Sequence, residues 1–335
     1  MLTRLRIGTA VLVTATIMAL ASFGVRAAEQ LTMSFVMPTP PGPYLLPYFI
    51  AQDLGWYQKA GLKVDERVVT GDANSLRALI SGEADTTFVG PGSIMQAFIS
   101  GGQLRIIGSF QPIVDYRIVA RPDAGNDLNA LSTKRWASSS VGGMVQVLPQ
   151  MAMRKHGIDT SKAQFMSVGG QAARYQAVVA GTVDATVIDT AIMVRGTKEG
   201  KLRFVRSIAD DFPKMGYVYF PVRTSALSDP KKRQALEIFI REGIRGARYI
   251  MDDPRAAAEV MERRLKSSDV ESMTEILKEM NRLGVWGVNG GLERDIFEFS
   301  EATLRDMGEI TAPVAYEKLV DTSIIDAALK VLGKR

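Results

Sequence analysis

From Leu31 onward the chain alternates short apolar runs with stretches in which apolar residues recur every three or four positions, and glycine or proline marks most of the changes. Leu31–Met37 is a β-type run, and Pro38-Thr39-Pro40-Pro41-Gly42-Pro43 ends it, since so many prolines suit neither a strand ladder nor a helix. The spacing then predicts a helix over 46–59 with Gly61 as its stop, a strand over 63–69, a helix over 74–81 and a strand over 84–89. A helix over 93–100 and a strand over 104–110 follow. Such a rhythm predicts an α/β protein with mostly parallel sheet and helices on its faces.

The most specific pattern is a repeat. Residues 71–89 align without a gap on residues 170–188, with Gly71/Gly170, Ala73/Ala172, Ala78/Ala177, Gly82/Gly181, Asp85/Asp184 and Thr87/Thr186 identical. After a one-residue adjustment, residues 102–109 align on residues 200–207, so each copy spans helix, strand, helix and strand. Two copies with this long period predict two similar α/β lobes and not a solenoid. Gly82 and Gly181 read as helix stops, and the acid three residues later as the turn into a buried strand, so these residues are structural. Binding positions belong at the carboxyl ends of strands, in the loops Asp72-Ala73-Asn74, Gly90-Pro91-Gly92-Ser93, Gly170-Gln171-Ala172 and Asp189-Thr190.

The amino terminus changes the picture of charge. Arg4 and Arg6 precede an uncharged stretch over 7–25, and Val25-Arg26-Ala27 is an Ala-type cleavage site, so residues 1–27 read as a secretory signal peptide. No cysteine stands there to carry a lipid anchor, and the expected location is the bacterial periplasm. The whole chain has 41 basic and 36 acidic residues, but the leader holds three of the arginines and no acid, leaving 38 against 36. A net +2, interspersed, offers no stripe for nucleic acid. With no cysteine and a single histidine, His156, the 335-residue chain has no thiol nucleophile, no cysteine-ligated zinc or iron–sulfur cluster, and no triad built without that one imidazole. His156 itself lies in a basic last helical turn before Gly157, where the helix dipole accounts for it. No metal and no cofactor are expected.

Residues 47–64, followed by Leu79-Ile80-Ser81-Gly82-Glu83-Ala84-Asp85, resemble the substrate-binding proteins of ABC importers for nitrate, sulfonates, taurine and thiamine-pyrimidine precursors. The resemblance continues through Asp127-Leu128, residues 136–143 and 148–159, and Ser228-Asp229-Pro230. It implies a type II periplasmic binding protein of two lobes, each a mostly parallel sheet flanked by helices, with the ligand in the cleft between them. Lobe one is expected over 28–115 and 219–335 and lobe two over 116–218, joined by crossovers at 110–118 and 215–222. Where family members often carry Gly-Ser or Gly-Thr in the lobe-two loop, this chain has Ser138-Ser139-Ser140 before Val141-Gly142-Gly143-Met144. The implied role is a monomeric receptor that closes on a small solute and presents it to an inner-membrane permease, with no chemistry. The rivals are an enzyme on the same fold, of the thiamine-pyrimidine synthase or sulfinate desulfinase kind, both of which use cysteine, and a sensor receptor.

The expected ligand is a small organic anion of the sulfonate or carboxylate class, with a pyrimidine as the neutral alternative. Helix starts near Asn74, Ser93, Met144 and Ala172 would offer backbone N–H donors to it. The binding set is expected to comprise Thr39, Pro40 and Tyr44 from the first loop and Asp72, Ala73 and Asn74 from the second. Gly90, Pro91, Ser93 and Gln111 complete lobe one, and lobe two supplies Ser140, Gly142, Gly143, Met144, Gln171, Arg174, Asp189, Thr190 and Tyr217. Arg174, in a first helical turn, reads equally as a solvated charge or as an anion clamp. The proline-rich first loop and Met144 hint at an apolar or planar part of the ligand, although methionine is more often core filler.

Overall fold

In β1 (Leu31–Met37) the side chains of Met33, Phe35, Val36 and Met37 are buried, and burial on both faces toward the strand end marks it as central. It pairs in parallel with β2 (Leu62–Val68) on one side and β3 (Thr86–Thr87) on the other. Nearby, β4 (Leu104–Ile106) runs antiparallel to β10 (Pro221–Arg223), which follows more than a hundred residues later in the chain. The computed structural model describes residues 30–39, 42–265 and 269–335; the expected signal peptide and Pro40 lie outside them.

A second sheet of five strands has the order β7-β6-β8-β5-β9, from β5 (Tyr116–Ala120), β6 (Arg135–Ser138), β7 (Gln164–Ser167), β8 (Ala185–Asp189) and β9 (Arg203–Ser207). Strand β6 is parallel to β7 and β8, whereas β5 is antiparallel to β8 and β9. The fold is therefore mixed α/β with two sheet-based lobes. Among the described residues no helix is long and apolar enough to cross a membrane.

The repeat is visible element by element. Helix Asp72–Ser81 corresponds to Gln171–Val179, β3 to β8, helix Pro91–Ile99 to Thr190–Lys198, and β4 to β9. Gly82 and Gly181 hold φ of +93° and +73°, which a side chain would oppose. Each following aspartate closes a ring with the neighbouring strand. Asp85 Oδ2 accepts from Ser34 N at 3.0 Å while Asp85 N donates to Ser34 O at 2.9 Å. Asp184 does the same with Arg135, at 3.1 and 2.8 Å.

Several boundaries differ from the sequence pattern. The expected helix over 46–59 is two, Leu46–Asp53 and Trp56–Lys59, because Gly55 at φ +68° breaks the ladder. Helices start earlier than expected, at Asp72 and at Pro91, whose fixed φ suits the first helical position. Strand β3 is two residues long because Val89 turns away to bridge Tyr219, and β4 stops at Ile106 as the chain enters the crossover.

The two crossovers run side by side. Val114 N donates to Met215 O at 3.0 Å, Tyr217 N to Pro112 O at 2.9 Å, and Ser109 Oγ to Val218 O at 2.6 Å. Helix Arg294–Asp306 braces them, since buried Ser300 accepts from Gly216 N at 2.7 Å. Helix Pro230–Asp252 packs on Leu46–Asp53 and closes the first core, where Phe35, Tyr48, Phe110, Phe220 and Phe239 meet at ring spacings of 4.4 to 6.2 Å. Trp56, Trp136 and Trp286 are packing residues: Trp56 lies under the Arg245 guanidinium at 3.9 Å, Trp136 stacks on Phe165, and Trp286 donates to Asn281. His156 caps helix Met144–Lys155 and bonds Asp211 at 2.8 Å.

Candidate functional site

The carboxyl ends of β1, β3 and β8, the loop after β6 and the crossovers converge on a cavity of about 60 Å³ between the lobes. Three tyrosines build much of its wall. Tyr44 and Tyr217 meet edge to face at 5.8 Å and Tyr217 and Tyr116 at 4.9 Å, so their rings brace one another. Burial pushes all three phenols well above their ordinary pKa, which keeps them as neutral hydroxyls. Tyr44 shares a 2.7 Å hydrogen bond with Thr39, and Tyr217 shares one of 2.9 Å with Tyr116. The latter pair has two protons and one shared bond, so one O–H remains for another acceptor.

Arg174 decides the electrostatics. It projects from helix Gln171–Val179 into the cavity wall and is only 2% exposed, which removes the solvated-charge reading. Its Nη1 donates to Gly169 O at 2.6 Å and Nη2 to Val187 O at 3.2 Å, and Nε has no hydrogen-bond partner. No described carboxylate lies within ion-pair distance of it. A buried cation held by neutral carbonyls is costly unless a counter-ion arrives.

Acids nearby are restrained. Asp189 caps helix Thr190–Lys198, where the Gln171 amide grips it twice: Nε2 donates to Asp189 Oδ2, and Oε1 accepts from Asp189 N at 2.9 Å. Burial pushes the Asp189 carboxyl up to about 7, against the pull of Gln171 and Arg174, and its Oδ1 has no partner. Burial also raises Asp115, which accepts from Thr190 Oγ1 at 2.7 Å and pairs with Arg117 at 3.1 Å. Asp72 is raised by burial too, and it accepts from Ser93 Oγ at 3.2 Å and from the Gly90 N–H.

That last contact corrects one expectation. Glycines 71, 90, 143 and 170 cap the four helices without any side-chain cap, as an open donor set would require. Yet Asp72 already occupies the start of helix Pro91–Ile99, and Gln146 takes the Gly142 N–H at 3.1 Å. The donors of helix Gln171–Val179, beside Arg174, are the better placed for an anion.

Of the residues expected to bind, Thr39, Tyr44, Asp72, Gly90, Met144, Gln171, Arg174 and Tyr217 line the cavity. Ala73, Asn74, Pro91, Ser93, Ser140, Gly142 and Gly143 instead line an adjoining chamber of about 610 Å³, and Thr190 a third space of about 1100 Å³ on the opposite side. Asp189 reaches the cavity only through Gln171, and Gln111 is buried in the crossover with Oε1 unpartnered. Sequence reasoning missed Tyr116, Phe88, Ser139 and Val145. Ser139 stood inside the serine loop already singled out, while Tyr116 reads in sequence as an ordinary strand residue.

The sequence pattern of the NMT1/THI5-like family matches residues 42–257, well over half of the chain. The protein belongs to this family. Among curated relatives, YtlA of Bacillus subtilis strain 168, named as a candidate binding protein, is 21% identical over 311 residues, covering 89% of this chain and 90% of its own. Solved structures agree on the fold. A Bordetella bronchiseptica RB50 protein superposes with a TM-score of 0.78 at 15% identity, covering 91% of this chain and 98% of its own. The nitrate-binding protein NrtA of Synechocystis PCC 6803 gives 0.70 at 13%, covering 91% and 90%. The alkanesulfonate-binding protein SsuA of Xanthomonas axonopodis pv. citri, bound to MOPS, gives 0.67 at 17%, covering 89% and 100%. The same fold carries a DszB variant in complex with biphenyl-2-sulfinic acid, with a TM-score of 0.62 at 14% identity over 90% of this chain and 99% of its own. The chain thus has the two-lobed periplasmic binding protein fold.

Proposed function

We propose that the protein is an exported solute receptor of an ABC-type importer, which binds a small organic anion between two closing lobes and hands it to a membrane permease. The observation that carries this reading is the Arg174 guanidinium, buried in the cavity wall with a free Nε and no carboxylate partner. Below pH 7 the Asp189 carboxyl is mostly neutral, which leaves less negative charge near Arg174 to compete with an anion. NrtA, SsuA and DszB are named or captured with nitrate, sulfonates and a sulfinic acid, all of them anions. Export rests on the signal-like leader, and the lobe division at 28–115 plus 219–335 against 116–218 follows the two groups of strands.

Binding without turnover is favoured over an enzyme because the chain lacks cysteine, and because His156 is tied to Asp211 and lines none of the three spaces of the cleft. The test is a thermal-shift panel of sulfonates, carboxylates, nitrate and pyrimidines on the purified mature chain. A cognate anion at a hundred times its Kd is expected to stabilise by roughly 2.7 kcal/mol and to be recovered chemically unchanged. A shift with pyrimidines alone, or an altered ligand on recovery, would overturn the reading.

A further inference from the structure

The cavity of about 60 Å³ has room for an anionic head group or about two waters, and for nothing larger. The rest of any organic solute must therefore leave it through one of two exits. Toward one side, the chamber of about 610 Å³ mixes apolar residues such as Leu76, Val147 and Leu304 with Asp72, Ser93 and Glu309. Toward the other, the space of about 1100 Å³ shares Tyr44, Gly170 and Gln171 with the cavity. It opens between helix Thr190–Lys198 and helix Val270–Arg282, and its wall is largely apolar, with Ala191, Ile192, Val194, Met261, Met273 and Ile276. An open apolar wall of this kind, beside a polar pocket with which it shares lining residues, is characteristic of a ligand site.

The charges at its mouth are of both signs, with Arg195, Lys198, Glu199, Glu275 and Glu279 around it. Arg195 lies over the Tyr175 ring at 5.1 Å, and Glu279 pairs with Arg282 at 2.6 Å. In the cavity wall, the Asp72 carboxyl opposes a second negative charge on the head group.

We propose that the solute is an organic anion with an apolar body, its head at Arg174 and Gln171 and its body in the space between helices Thr190–Lys198 and Val270–Arg282. This rests on the receptor reading and narrows its substrate class. Inorganic anions and two-carbon zwitterions leave that apolar wall wet and bind weakly; alkyl or aryl sulfonates and carboxylates cover it.

The test is calorimetric titration with straight-chain alkanesulfonates of two to eight carbons. Wild type is expected to gain two- to fourfold in affinity per methylene. Ala173→Trp and Val194→Asp, both at exposed positions on that wall, are expected to flatten the series beyond about three carbons while leaving the shortest members unchanged. Ser100→Trp, in the opposite chamber, is expected to leave the slope intact. A wild-type gain below 1.5-fold per methylene, or flattening by Ser100→Trp and not by Ala173→Trp, overturns this inference while the receptor reading stands. Failure of every chain length, with nitrate and carboxylates failing too, overturns the receptor reading itself.

Discussion

Arg174 lines the cavity and Asp189 lies behind it, held by Gln171; the two ask opposite things of a ligand, and pH decides between them. With the Asp189 carboxyl titrating near 7, acidification neutralises it and exposes the full charge of Arg174; above pH 7 it ionises and repels an anion. Anion affinity is therefore expected to fall roughly tenfold as pH rises from 6 to 8, and Asp189→Asn is expected to abolish most of that fall, read by calorimetry at both pH values. The stability sign follows from the same shift. A carboxyl whose pKa is raised from 3.8 to about 7 stabilises the fold fully below about pH 4 and loses that contribution as pH climbs to 7. Asp189→Asn, which mimics the neutral acid, should therefore gain melting temperature relative to wild type at pH 8 and little at pH 4. Position was readable in the sequence for Arg174 and Gln171, because strand-end loops at a repeat boundary mark the cleft. Burial was not: four residues into a polar-looking helix, nothing in Gln-Ala-Ala-Arg says that the arginine points inward and not to water.

Elements were more legible than side chains. The repeated Gly and Asp residues fixed helix, strand, helix and strand in both lobes because each has a local physical duty, a left-handed stop and a carboxylate that closes a ring with the next strand. The break at Gly55 and the two-residue β3 were not legible, since periodicity runs straight through both and only tertiary pairing with Tyr219 ends the latter. Close packing of helix Pro230–Asp252 is likewise invisible in its sequence yet readily tested. A Cβ on Gly246 would lie 2.1 Å from the Pro47 carbonyl oxygen, a backbone atom that cannot step aside. Gly246→Ala should therefore destabilise by about 1–2 kcal/mol in urea denaturation, overpacking outweighing the gain in helix propensity. Gly92→Ala meets only Leu304 methyls, at 3.5 Å, and should be neutral or stabilising by up to about 1 kcal/mol. Equal effects at both sites would contradict the packing described for the first helix pair.

At the scale of the molecule, the cavity between the lobes takes only a head group, and on the receptor reading the lobes part to admit it. Two paired crossovers permit this as a hinge, and Arg154 to Glu309, at 2.5 Å, bridges helix Met144–Lys155 to the segment after helix Arg294–Asp306. A half-exposed pair of this kind contributes about 1 kcal/mol or less, enough to tilt an opening equilibrium and too little to lock it. Free Glu309→Gln protein should thus show a larger radius of gyration by X-ray scattering than free wild type, and the two should coincide once ligand is bound; identical free radii would remove the bridge from the account. Binding itself turns on Arg174, whose buried guanidinium is the proposed counter-charge of the ligand. Calorimetric titration of wild type and Arg174→Ala with the best anion of the panel, at pH 6.5, tests it most directly. One site per chain is expected, with a loss of roughly 1.5–3 kcal/mol in the variant, about 10- to 150-fold in Kd, and the fold intact by circular dichroism. An unchanged Kd in a folded Arg174→Ala protein would contradict it.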